Sequence, residues 1–100
     1  MIYIVTYDIA SDRLREKISK ILVSAGYERI QYSVFVAIEN PHKNQNLWKR
    51  IEKLEQNSYD EMFRLFVIPV PKDCFLSMEM LGNPGFELEY LAGNKNTLFL

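Results

Sequence analysis

One hundred residues, 48% apolar and 25% charged, suit a single domain over residues 1–100. It is long enough to bury roughly two-thirds of its unfolded surface without disulfides or a structural metal. No stretch approaches the roughly 20 consecutive apolar residues of a membrane span, and the chain opens on a strand pattern, not a basic cleavable leader. The net charge of −1 hides an asymmetry: residues 1–72 carry eleven basic against nine acidic side chains, whereas residues 73–100 carry one against four. Such a chain is not a generally basic nucleic-acid binder, and any phosphate contact has to come from a local patch.

Residues 2–7 are β-branched and aromatic, with both alternating sets largely apolar, the pattern of a central strand covered on two faces. Asp8 follows directly. A carboxylate there is either an ordinary strand-ending residue or an acid held by rigid backbone at the mouth of a cleft, suited to metal or acid/base chemistry. Ser11 or Asp12 then caps a helix, with Glu16 near the N3 region of a capping box. Leu14, Ile18, Ile21, Leu22 and Ala25 recur at helical spacing and Gly26 supplies the stop. On that helix Arg13, Lys17 and Lys20 share one face, while Arg15 points elsewhere beside Asp12 and Glu16. The basic cluster is a solvated helix surface or a phosphate-contacting stripe.

Residues 29–38 alternate as one long strand or two shorter ones bent near Ser33, with Ile30, Tyr32, Val34, Val36 and Ile38 on one side. Asn40 and Pro41 open a second helix as cap and N1 residue. Its buried stripe is Leu47, Ile51 and Leu54 joined by Trp48, and Asn57-Ser58 closes it. Residues 62–68 form another apolar strand, ended by Pro69 and Pro71. Phe86, Leu88 and Tyr90 alternate with Glu87 and Glu89 as an edge strand, and residues 97–100 form a last short strand on a sheet edge of this subunit or a neighbour. Strand, helix, strand or hairpin, helix, strand is an α+β pattern, most simply packed as a ferredoxin-like β-α-β-β-α-β sandwich. Apolar residues on both sides of the strands predict that a second copy covers the face the helices leave open, as in a homodimer.

Other residues carry less. Cys74 is the only cysteine, so no intrachain disulfide forms; a reducing cytoplasm and a semi-buried packing role are expected. His42 sits at an exposed helix start, no His/Cys/Asp spacing for zinc is present, and Ser33 has no histidine-based triad to activate it. One Asp is also a thin metal site, since Mg²⁺ takes one or two carboxylates with waters or phosphate oxygens. Across a two-fold axis, however, Asp8 appears twice.

Two segments are less anonymous. Residues 3–9 (YIVTYDI) followed by 13–17 (RLREK), and then residues 26–35 (GYERIQYSVF), closely resemble the Cas2 family of CRISPR-associated proteins in order and spacing over residues 2–70. The resemblance implies a ferredoxin-like homodimer whose C-terminal strand adds to the partner's sheet, with residues 29–38 divided near Ser33. It implies a metal-dependent endonuclease acting on single-stranded RNA or double-stranded DNA. It also implies a role in spacer acquisition, in which the dimer bridges two dimers of the CRISPR integrase subunit. Asp8 matches the family's Mg²⁺-associated aspartate, one ion being shared by the two subunits. Ser33 and Phe35 match positions near the interfacial cleft and complete, with Asp8, the implied catalytic set. Arg13, Arg15, Lys17 and Arg29 match nucleic-acid-contacting positions, although lysine at 17 loses the bidentate phosphate geometry of an arginine. Two alternatives stand beside this: a non-catalytic DNA-binding scaffold, and a toxin-type ribonuclease on the same fold.

Overall fold

A computed structural model describes residues 1–59, 61–83 and 85–93. Strand β1 (Ile2–Ile9) leads into helix α1 (Asp12–Ser24), a hairpin of β2 (Glu28–Gln31) and β3 (Val34–Ala37), helix α2 (Gln45–Gln56) and strand β4 (Phe63–Val70). Two short helices follow, α3 (Lys72–Leu76) and α4 (Leu88–Leu91). The four strands form one sheet in the order β2-β3-β1-β4 with every neighbouring pair antiparallel. This is the expected α+β, β-α-β-β-α-β arrangement, and β1 is the central strand, paired along its whole length with β4.

The strands alternate between two cores. Val5, Tyr7 and Ile9 of β1 join Phe35 and the apolar stripes of both helices, Leu14, Ile18, Ile21 and Leu22 from α1 and Leu47, Ile51 and Leu54 from α2. Fully burying side chains of this size is worth about 1.5–3 kcal/mol each, so this layer dominates stability. The other face carries a smaller core, in which Ile2 and Val36 pack against Phe75, Leu91 and Ala92. The chain's own tail therefore covers one end of the face expected to need a second copy. Further along that face Phe66 and Ile68 stay 53% and 43% exposed.

Caps and turns follow the sequence with instructive exceptions. The Ser11 side chain accepts a hydrogen bond from the Leu14 N–H, and Gly26, at φ +91°, takes the left-handed position after α1. Leu14, not Glu16, is three residues past the cap, so no capping box forms; Glu16 pairs with Lys20 at 3.0 Å instead. Asn40 and Pro41 start only a 3-10 turn (Pro41–Lys43), because Asn44 offers a second cap that binds the Leu47 N–H and begins α2 at Gln45. Pro69 lies inside β4, which a strand with a neighbour on one side only tolerates.

Residues 29–38 divide as expected into two strands joined at Tyr32-Ser33, but a register shift between Arg29 and Gln31 breaks the simple alternation. Phe35 and Val36 are both buried on opposite faces, while Tyr32 and Ile38 are 69% and 60% exposed. The expected edge strand around residues 86–90 is a correction: Leu88–Leu91 is helical, and its turn lays Leu91 onto Ile2 and Val36. Spacing of three between Leu88 and Leu91 serves that contact, which period-two alternation does not. Cys74 is also corrected, from semi-buried to exposed, since α3 turns its neighbour Phe75 into the core instead. The last strand expected at residues 97–100 lies outside the described residues.

Tyr27 anchors the start of the hairpin. Its hydroxyl donates to the Glu39 carbonyl at 2.8 Å, and burial pushes the phenol well above its usual range. A raised phenol favours the fold fully below the unfolded tyrosine value of about 10 and loses that advantage as pH climbs past it. We therefore expect Tyr27→Phe to cost about 1 kcal/mol at neutral pH and to make the fall in melting temperature above pH ~10 shallower than in the parent. Thermal melts at neutral and alkaline pH measure both, and an equally steep alkaline fall contradicts the assignment.

Candidate nucleic-acid interface and acidic site

β1 sends neighbouring residues to opposite faces of the sheet. Tyr7 enters the helix-side core and Asp8, exposed, lies on the open face, opposite Arg64 of β4 in the strand register. Moving back along the same face, Thr6 faces Phe66 and Ile4 faces Ile68. Asp8 thus stands at the end of a partly exposed apolar strip. Among the described residues no three His, Cys, Asp or Glu side chains converge on a metal position. A hard cation uses one or two carboxylates completed by waters and phosphate oxygens, so Asp8 fits as one donor and a single protomer does not supply the rest.

The expected basic residues do not gather around Asp8. Arg15 lies at the junction of β1 and α1, where one Nη1 donates to the Ile9 carbonyl at 2.7 Å and to the Ala10 carbonyl at 3.3 Å. Its other terminal nitrogen forms an ion pair with Asp12, and its Nε is buried without an acceptor among the described residues. Arg15 is a staple for the strand-to-helix turn, with most of its donors already engaged. Arg29, on β2, faces the helix layer. Its Nε and Nη2 donate to the Tyr32 carbonyl at 3.1 and 2.6 Å, and its guanidinium sits 5.2 Å from the Tyr32 ring and 5.3 Å from the Phe35 ring.

Arg15 and Arg29 meet across a cleft of about 470 Å³ that Tyr7, Lys20 and Tyr32 also line. Burial pushes the Tyr7 phenol up, opposed by the charge and hydrogen bond of Arg29. Tyr7 and Tyr32 were not singled out from the sequence. A polar-tipped aromatic next to the strand-ending Asp, and another at a hairpin turn, are the signals that could have found them. Arg13 and Lys17 stand apart from this cleft, exposed on the outer surface of α1.

Of the implied catalytic set, Ser33 lies in the β2–β3 turn, where its carbonyl accepts the Tyr7 N–H at 3.2 Å. Phe35 requires a correction: it is wholly buried, stacked on Tyr7 with ring centres 6.2 Å apart. A ring enclosed by the helix-side core touches no substrate; it supports Arg29 from beneath.

The family model for the CRISPR associated protein Cas2 matches residues 1–78. The chain belongs to the Cas2 family. Relatives include the CRISPR-associated endoribonuclease Cas2 1 of Archaeoglobus fulgidus, 32% identical over 88% of this chain and 90% of that protein. The CRISPR-associated endoribonuclease Cas2 3 of Synechocystis is 38% identical over 83% of this chain and 86% of its own. Among solved structures, a hypothetical protein of Thermus thermophilus superposes with a TM-score of 0.62 at 31% identity, covering 82% of this chain and 90% of that one. Streptococcus pyogenes Cas2 gives the same TM-score at 22% identity, over 82% of this chain and 100% of that one. That last likeness shows the ferredoxin-like fold alone. Among the described residues no helix is long and apolar enough to cross a membrane.

The two arginines near this chain's first turn should separate cleanly in stability. Arg15→Ala removes charge-assisted bonds to two carbonyls and is expected to destabilise the fold by about 1.5–3 kcal/mol, whereas Arg13→Ala, on an exposed helix surface, should stay within about 0.5 kcal/mol. Urea denaturation of both variants checks this, and equal losses contradict the staple.

Proposed function

We propose that this Cas2-family chain works as a homodimer that binds nucleic-acid backbone in CRISPR adaptation, with a Mg²⁺-dependent endonuclease site built from Asp8 of two subunits. The observation that carries this reading is the placement of Asp8, exposed at the end of the open strip that contains Phe66 and Ile68. Covering that strip with a second copy removes apolar surface from water, at about 25 cal/mol per Å², and repeats Asp8 across the two-fold axis. The names of the relatives, all endoribonucleases, favour RNA phosphodiesters as substrate, with duplex DNA second.

Asp8 would supply one carboxylate to such an ion, and a second would come from its copy in the partner subunit. Mg²⁺ would supply neutralisation of charge developing on a scissile phosphate. Arg13 and Lys17 are free on the outer surface of α1 to hold flanking phosphates. Arg29 fixes the β2–β3 turn and Arg15 fixes the β1–α1 turn, so both shape the path of the backbone more than they read it. Family membership favours this role over a toxin-type ribonuclease on the same fold.

A scaffold reading has its own support. Arg13 and Lys17 lie on the helix layer, away from Asp8, which suits sequence-independent gripping of a duplex while two integrase dimers are bridged. In that role the carboxylate is dispensable. One variant addresses both readings. Asp8→Asn, shown to be folded and dimeric, is expected to lose RNA cleavage in Mg²⁺ by about a hundredfold or more, while a strain carrying it still acquires spacers. Cleavage at the parental rate overturns the Asp8 site, and loss of acquisition overturns the separate scaffold role.

A further inference from the structure

α1 and α2 lie side by side over the sheet, and the groove between their outer surfaces has a volume of about 470 Å³. Lys17 and Lys20 line it from α1, Arg50 and Lys53 from α2, and Ile21 and Leu54 form its floor. No carboxylate among the described residues lines it. Past Arg50 the groove continues between Ser24 and Asn46 as a further hollow of about 230 Å³. All four cations are exposed, and Lys20 alone among them has an ion-pair partner among the described residues, the exposed Glu16.

This concentration is not what the overall charge suggests. The chain has a net charge of −1, yet four positive side chains face one another across a single groove. Within each helix they are paired at i, i+3, Lys17 with Lys20 and Arg50 with Lys53, a spacing at which like charges weaken a helix. The acidic residues of α2, Glu52 and Glu55, fall on the other side of that helix by their spacing from Arg50 and Lys53. A fold that holds like charges together gains from an anionic partner and not from its own contacts.

We infer that the α1–α2 groove is a phosphate-binding surface for double-helical nucleic acid, separate from the Asp8 face. The inference rests on the reading of this chain as a nucleic-acid-binding protein and extends it to three residues, Lys20, Arg50 and Lys53. Two observations select the occupant. Four cations complement a polyanion. No aromatic side chain among the described residues lines the groove, so it lacks the stacking platform on which single strands are held. What remains is contact with regularly spaced phosphates, which positions a duplex without reading its sequence. Arg13, one turn before Lys17 on the same face of α1, extends the stripe toward the helix start. The groove lies on the helix layer, so it stays open when the opposite sheet face is covered by a second copy.

The test is a salt titration of binding between the full chain and a labelled duplex DNA of arbitrary sequence, followed by fluorescence anisotropy. Arg50→Gln with Lys53→Gln removes two cations far from Asp8 and from the β1–α1 turn. The double variant is expected to bind about tenfold more weakly at low salt, with a slope of log K against log salt shallower by about two. Arg50→Lys should bind like the parent. Thermal melting confirms that the variants are folded. Unchanged affinity and slope in the folded double variant overturn the groove while leaving the nucleic-acid reading intact. Equal losses on a single-stranded homopolymer and on the duplex overturn the duplex assignment. A parent protein that binds no nucleic acid at all overturns both this inference and the function on which it rests.

Discussion

A central strand must give alternate side chains to opposite faces of its sheet, and the way β1 meets that constraint determines most of what this molecule can do. Val5, Tyr7 and Ile9 are committed to the helix-side core, and Ile2, Ile4, Thr6 and Asp8 to the other face. A one-residue slip in register would exchange the two sets and bury the Asp8 carboxylate beneath α1, at a cost no fold of this size sustains. Asp8 is therefore fixed on the open face by the packing of its neighbours. The same alternation puts Tyr7 over Phe35 and under Arg29, so the cleft on the helix side and the acid on the sheet side are built by consecutive residues and separated by the sheet.

That separation divides the chemistry. The open face offers an acid and an exposed apolar strip, which together suit a second copy and a shared cation. The helix layer offers cations, some engaged in holding turns and some free. Arg15 shows why charge alone is a poor guide to contact with nucleic acid: its donors go to the Ile9 and Ala10 carbonyls and to Asp12. The smaller core on the second face matters as well. Phe75 and Leu91 close one end of it, which confines the surface left for a partner to the stretch between Ile68 and Asp8.

Much of this was legible in the sequence because the signals were local. The period of Leu14, Ile18, Ile21 and Leu22 dictates a helix face, Ser11 its start and Gly26 its stop. Two-sided apolar alternation identified β1 as central and Asp8 as its end. Other features depended on competition or on distant partners. Asn40 and Asn44 are both good caps, and only the path of the chain decides which one begins α2. Phe86–Tyr90 alternates like a strand, but the apolar face formed by Ile2 and Val36 draws Leu88–Leu91 into a helical turn. Residues 29–38 hide a register shift, so the exposed Tyr32 and the buried Phe35 fall where simple alternation does not place them. The engagement of Arg15 and the encounter of α1 with Arg50 and Lys53 are tertiary facts that no spacing rule within one helix records.

The central claim is that Asp8 is half of a cation site whose other half belongs to a second copy of the chain. The most direct measurement is the stoichiometry of Mn²⁺, as a spectroscopic substitute for Mg²⁺, bound to the dimer at equilibrium. The account predicts one ion for every two chains, lost in the Asp8→Asn dimer. One ion per chain, or binding that survives the substitution, would contradict it.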